Sequence, residues 1–259
     1  MNHIFAICAY KESPYLEACI RSLKSQTIPT PIILCTSTPN QYIDGLAKRY
    51  DIPVYLREGE SHIQEDWNFA YDMAEADLVT IAHQDDMYHK EYAATVKQCW
   101  EYYPDTTIMT TDAVIVRGKR LTQFDMVNLI KKVLRIPLRL RNLSHYFWLK
   151  KSALLFGNPI ICPSCTYCKK ELGSPLFSSQ YQFALDWDTM LKFADRPGRW
   201  ICIEKQLLYY RIHEQATTKL CIENHKREQE EAEIFNRLWP GAIAKRLLKI
   251  YGQSYKSYD

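Results

Sequence analysis

Two adjacent aspartates, Asp85 and Asp86, close the run Asp77-Leu-Val-Thr-Ile-Ala-His-Gln-Asp-Asp-Met-Tyr88. Leu78 to Ala82 carries no charge, and five such residues fit a buried strand better than a helix. Ligands of open α/β sheets sit just beyond the carboxyl ends of their strands. Hard carboxylate oxygens placed there can hold Mg²⁺ or Mn²⁺ over a phosphate group. A solvated Asp-Asp turn is the plainer alternative. A second acidic pair, Asp186 and Asp188, lies in Ala184-Leu-Asp-Trp-Asp-Thr-Met-Leu191, where a helix begins and its dipole favours acids in any case. A third group, Tyr209-Tyr-Arg-Ile-His213, alternates as a half-buried strand end does and sets Arg211 and His213 on one face. Singly, each group is as compatible with a cap, a turn or a satisfied polar pair as with a site.

The elements that must position these groups follow from short-range pattern. Strand-like runs span His3 to Ala9, Pro31 to Thr36, Pro53 to Leu56, Leu78 to Ala82 and Thr107 to Thr111. Ser13-Pro14 reads as an N-cap and first-turn pair, after which Leu16, Ile20 and Leu23 share one helical face. Trp67, Ala70, Tyr71 and Ala74 form a second stripe. Strand and helix in alternation over the first 110 or so residues imply right-handed βαβ units and a mostly parallel sheet. Further on, Leu185 to Ala194 is helix-like, Ile201 to Ile212 is one long strand or a pair, and a charged helix runs from about Ile222 to Leu238. Gln253 to Asp259 reads as a polar, frayed end. Three segments result: 1–118, an α/β half that ends past the first acidic pair; 119–218, which completes the same domain; and 219–259, a helical extension.

Composition narrows the class. Among 259 residues, 47% are hydrophobic and 24% charged, as in an ordinary globular protein. A net charge of +3 argues against a nucleic-acid partner. No run of about 18 apolar residues is present, and the start lacks a signal-peptide pattern. Nine cysteines, an odd number with no export signal, point to reduced thiols and a cytoplasmic protein. Basic residues concentrate between Lys119 and Lys151, where nine face a single acid, Asp125. This segment, from Thr122 on, reads either as a helix that covers the core with a solvated basic face or as a peripheral contact with anionic membrane.

In their order along the chain these groups resemble the inverting glycosyltransferases of family two, which have the GT-A fold. Ile7-Cys-Ala-Tyr-Lys-Glu-Ser-Pro-Tyr-Leu16 resembles that family's first strand and nucleotide loop, and Ile20-Arg-Ser-Leu-Lys-Ser-Gln-Thr27 its "SLxxQT" ending. Trp67-Asn-Phe-Ala70 is similar to the helix before the metal strand, His83-Gln-Asp-Asp86 to "DxDD", Leu185-Asp-Trp-Asp188 to "EDxD", and Tyr210-Arg-Ile-His213 to "YRxH". The resemblance covers residues 3 to 215. It implies an α/β, Rossmann-like, mostly parallel sheet flanked by helices, with a C-terminal acceptor-side region. It also implies metal-dependent inverting transfer from a nucleotide-sugar, UDP-linked, to a hydroxyl of a glycan or lipid-linked acceptor in polysaccharide biosynthesis. Carried over by position, Asp85 and His213 would hold Mn²⁺ or Mg²⁺ and Asp186 would be the catalytic base. Ala9, Tyr10, Glu12, Thr36, Asn68, His83, Gln84, Asp86 and Arg211 would line the donor, and Trp187 and Asp188 the acceptor side.

The chain also departs from that pattern. His83 replaces the first aspartate of "DxDD", the position of the ribose contact. Cys35-Thr-Ser-Thr38 replaces the acidic "DDGS", so a carboxylate contact to uracil is not carried over. Leu185 replaces the glutamate of "ED". A sugar-nucleotide nucleotidyltransferase is the main enzymatic rival, although it would need a Gly-rich basic loop where Ala9-Tyr-Lys-Glu-Ser-Pro14 stands. A catalytically degenerate nucleotide-sugar-binding module is the other, argued against by Asp85, Asp186, Arg211 and His213 together. Cys162, Cys165 and Cys168 mimic a zinc knuckle but lack a second ligand pair and read as strand cysteines. His3, His62, His89, His145 and His225 read as structural or surface residues.

Overall fold

The structure is a computed structural model and describes residues 2–118, 120–122, 126–213 and 226–252. The early apolar runs become strands because they are short, uncharged and rich in branched side chains. β1 (His3–Ala9), β2 (Ile32–Thr36), β3 (Val54–Leu56) and β4 (Leu78–His83) lie parallel in the order β3-β2-β1-β4. They are connected by α1 (Leu16–Lys24), α2 (Gln41–Tyr50) and α3 (Ile63–Met73). The order reverses between β1 and β4, so their carboxyl ends open a crevice. Ala9 and His83 stand at its two lips.

The sheet continues through β5 (Met87–Tyr88), β6 (Thr106–Arg117), β7 (Arg120–Thr122), β8 (Thr166–Cys168) and β9 (Arg199–Ile212), with α4 (Tyr92–Tyr102) between β5 and β6. Among the described residues it has nine strands in the order β3-β2-β1-β4-β8-β6-β9-β5, with β7 on β6. β8 is antiparallel to both neighbours, whereas β9 runs parallel to β6 along its length. Its far end pairs with β5, Met87 opposite Tyr209. That pairing delivers Arg211 and His213 to the aspartates of the first motif, 125 or more residues away in sequence. The expected strand at 107–111 in fact runs from Thr106 to Arg117, because the acid in its middle is neutralised. Asp112, 3% exposed, receives Arg135 at 2.7 Å, Arg139 at 3.5 Å and Lys132 at 3.7 Å.

Helices cover both faces. α1, α2 and α4 pack Leu16, Ile20, Leu23, Ile43, Leu46 and Val96 on one. On the other, α3 and α7 (Phe147–Ser152) pack with α9 (Leu185–Ala194), α10 (Lys226–Leu238) and α11 (Gly241–Tyr251). Trp187 anchors this layer; its ring meets Phe235 at 5.0 Å and Tyr251 at 6.1 Å, and its Nε1 donates to the Leu154 carbonyl. Burial of such an aromatic is worth roughly 3–5 kcal/mol against alanine. No helix among the described residues is long and apolar enough to cross a membrane.

Three expectations change. α1 starts at Leu16 with Tyr15 as N-cap, two residues after Ser13; the Ser13 hydroxyl accepts the Tyr15 N–H at 3.3 Å and donates to Asp85 Oδ1 at 2.9 Å. The cysteine run is only partly strand: Cys162–Ser164 is a 3₁₀ turn that leads into β8. Cys162, Cys165 and Cys168 are buried, burial pushes the Cys165 thiol up to about 12, and no metal-holding cluster of three or more His, Cys, Asp or Glu occurs among the described residues. The basic segment forms α5 (Met126–Leu134), α6 (Ile136–Arg139) and α7, but Lys132, Arg135, Arg139 and Lys150 turn inward and its apolar side faces out, the reverse of a core-covering helix. The remaining short helix is α8 (Lys169–Leu172). The start of the charged helix at 222–225, His225, Lys119 and the end from Gln253 lie outside the described residues.

Candidate active site

A cavity of about 650 Å³ opens at the β1/β4 crevice and extends to the start of α9, within the range of small-molecule sites. At the crevice end the loop after β1 is pinned to the first motif by one side chain. Gln84 Oε1 accepts from the Tyr10 N–H at 2.9 Å, and Gln84 Nε2 donates to the Tyr10 carbonyl at 3.0 Å. Lys11 adopts φ 51° here and donates its N–H to Thr38 Oγ1 at 2.7 Å. A non-glycine residue in that region marks a loop held by its surroundings. Ala9, Tyr10, Glu12 and Thr36 all line the wall.

Asp85 faces the cavity with Ser13 on one oxygen and His213 Nε2 at 3.3 Å from the other. Burial alone would raise its pKa, yet the His213 ring and the Ser13 hydroxyl hold it below the ordinary carboxylate value. His213 Nε2 makes no aligned hydrogen bond, and Tyr15 lies against the ring at 4.8 Å and against the Arg211 guanidinium at 4.5 Å. One carboxylate and one unsatisfied imidazole nitrogen that converge in this way suit Mn²⁺ or Mg²⁺, whose remaining positions are commonly filled by substrate phosphates and water. Asp86 does different work. It is 2% exposed and accepts the Arg211 N–H at 2.8 Å, while Arg211 Nε donates to the Asp85 carbonyl at 2.9 Å. The two residues lock β9 to the turn and aim the arginine. His83 packs on Trp67 at 4.7 Å, and burial lowers its pKa to about 4, so the ring is neutral near pH 7.

On the wall that α9 contributes, Asp186 projects from the first turn of the helix. Asn158 Nδ2 donates to its Oδ2 at 3.0 Å and the Trp187 N–H to its Oδ1 at 2.8 Å. Burial raises its pKa above the ordinary 3.8, and the Arg227 and Lys131 cations offset this only in part. Glu230 of α10 accepts three consecutive N–H groups, of Gln182, Phe183 and Ala184, at 2.8–3.0 Å and so fixes the approach to α9. Gly157 lets α11 close on the Asn158 loop: its φ is 129°, and a Cβ there would run into the Tyr251 ring.

Of the residues singled out from sequence, Asn68 and Asp188 stand outside the cavity. The Asn68 amide bonds at both ends to the Phe177 backbone. Asp188, 1% exposed, is held by Ser179, Lys192 and Arg237 at 2.7–2.8 Å. Trp187 reaches the wall but its indole belongs to the core. Sequence reasoning missed Ser13, Tyr15, Lys131, Asn158, Arg227 and Glu231, all of which line the cavity. Only Ser13 and Tyr15, inside the first motif, carried a local signal.

A switch-point crevice, a carboxylate–imidazole pair beside an arginine, and a buried carboxylate of raised pKa thus line one cavity. The chain belongs to glycosyl transferase family 2, whose model matches residues 4–175, and it is a glycosyltransferase. Its GT-A fold is shared with mannosyltransferase PcManGT from Pyrobaculum calidifontis, solved with GDP-Man and Mn²⁺ (TM-score 0.65, 15% identity, 99% of this chain and 72% of that chain). TarS 1–349 of S. aureus with UDP-GlcNAc is similar at TM-score 0.62 and 15% identity over 96% and 70% of the two chains. Glucosyl-3-phosphoglycerate synthase from Mycobacterium tuberculosis, with Mn²⁺, UDP and glucosyl-3-phosphoglycerate, is similar at 0.61 and 12% over 92% and 80%. No curated protein matches the chain.

Proposed function

We propose that the protein transfers a sugar from a nucleotide-sugar, UDP-linked, to a hydroxyl of a glycan or lipid-linked acceptor with inversion at the anomeric carbon, in polysaccharide assembly. The observation that carries this reading is the gathering of Asp85, Arg211, His213 and Asp186 around a single cavity.

A divalent cation held by Asp85 and His213 would supply positive charge to the diphosphate. Arg211, fixed by Asp86 and stacked on Tyr15, adds a second cation aimed at the same group. The Asp186 carboxylate takes the acceptor proton as that oxygen bonds to C1, and the C1–O bond to the diphosphate breaks with its electron pair on the departing nucleotide. One displacement inverts C1, and no covalent enzyme intermediate forms. Asn158 and the Trp187 N–H orient the carboxylate, and its raised pKa makes it a stronger base than an exposed aspartate. At the nucleoside end, the neutral His83 on Trp67 and the Thr36–Thr38 loop offer a ring face and hydroxyls where the family pattern has carboxylates.

A panel of UDP-, GDP- and dTDP-sugars with Mn²⁺ tests this reading, with release of nucleotide and the product's anomeric configuration as readouts. Retention of configuration, or turnover by Asp186→Asn equal to wild type, would overturn it.

A further inference from the structure

The basic segment carries a feature that the transfer chemistry does not use. Met126, Leu129, Ile130 and Val133 recur at i, i+3, i+4 and i+7 on α5, and they are 50–70% exposed. The polar positions Asn128 and Arg135 are buried. A surface helix of a globular protein normally does the opposite. Exposure continues through Ile136, Leu140, Leu143 and the aromatic run Tyr146, Phe147, Trp148. Ten of the eighteen exposed large hydrophobic side chains among the described residues fall within 126–148, too dense a cluster for scattered surface residues.

The charges explain the inversion. Lys132, Arg135 and Arg139 point at Asp112, and Lys150 donates to the carbonyls of Arg196 and Gly198. These four cations are held by the protein and do not project with the apolar stripe. Lys131 differs: it lines the cavity, and its charge acts on Asp186. α5 therefore has one flank on the catalytic cavity and an apolar flank on solvent.

We infer that the outward face of α5 to α7 docks on a lipid bilayer, which presents to Asp186 an amphiphilic acceptor whose anionic head lies at Lys131. The acceptor half of this inference rests on the transfer reading above. An apolar stripe with tyrosine and tryptophan at its end suits the depth at which interfacial helices lie and aromatic side chains settle. A bilayer can feed an amphiphile along the helix into the cavity that Lys131 lines. Because the inner cations are engaged, attachment comes mainly from apolar insertion and depends only weakly on salt.

The test is flotation of the full chain with phosphatidylcholine vesicles, with and without phosphatidylglycerol, at low and high salt. Wild type is expected to float with both and to stay bound at high salt. Leu129→Glu combined with Val133→Glu should remain at the bottom, with UDP–Mn²⁺ binding and melting temperature unchanged. Wild type that stays at the bottom, or that releases fully at high salt, overturns the docking. So does a wild-type dimer that the double variant makes monomeric, which would assign the face to a second copy. Titration with decyl phosphate in the presence of UDP and Mn²⁺ tests the head group: Lys131→Ala should bind it about tenfold more weakly, and equal binding removes that part. If wild type binds no UDP at all, the transfer reading fails, independently of the flotation result.

Discussion

The two acidic pairs of the chain look alike in sequence and are split in the same way by the fold. Asp85 and Asp186 face one cavity; their companions Asp86 and Asp188 are 2% and 1% exposed and hold secondary structure together. The cavity-facing members then diverge. Histidine and a hydroxyl keep Asp85 below the ordinary carboxylate pKa, as suits a permanently charged ligand. Burial raises Asp186, as suits a group that must take a proton. Environments that drive two carboxylates apart in this way are how acid–base roles are divided within one site. A pair of aspartates is thus not a single unit: each pair contributes one cavity-facing residue and one residue held within the structure.

Substitutions that leave shape intact test that division. Asp186→Asn should reduce kcat by about 10²–10⁴-fold, with the melting temperature and UDP–Mn²⁺ binding nearly unchanged; steady-state kinetics beside calorimetry separates the two. Asp85→Asn should weaken Mn²⁺-dependent UDP binding by about 10–100-fold, and chelation of the metal from wild type should have a similar effect by titration calorimetry. Asp188→Asn should act the other way round, costing about 1–3 kcal/mol of stability in a denaturant melt, with kcat per folded molecule close to wild type. If it instead abolished turnover at full stability, the division within the second pair would be mistaken. The gentlest probe is pH. The base must be deprotonated, and its folded pKa is raised, so kcat/KM should fall as pH drops through a midpoint above 3.8. Asp186→Asn should lack that limb.

The first four strands and α9 were legible because each is a local pattern of a few residues, and their observed bounds lie within one position of the runs read from sequence; the stripe from Trp67 marked only the later turns of α3, which begins at Ile63. The strand through Asp112 was cut short because a lone acid reads as a strand end until its three cations are known. The second role of Ser13 has the same origin. A hydroxyl beside a helix start reads as a cap by local rules, and only the approach of Asp85, 72 residues later, gives it a partner to donate to as well.

Taken alone, the chain determined the alternation of strand and helix through the first four strands, the family, and the residues at each motif position, since these depend on composition and spacing over a dozen residues or fewer; short elements such as β5 and β7, which exist only by pairing, were not legible. Tertiary structure decided which aspartate of each pair meets the cavity, that Lys131, Asn158 and Arg227 surround Asp186, and which way α5 faces. A helical period gives the width of an apolar stripe but not its direction. On α5 the direction follows from Asp112, a buried acid on a distant strand whose charge would be unpaired in the interior if the cations had stayed in water.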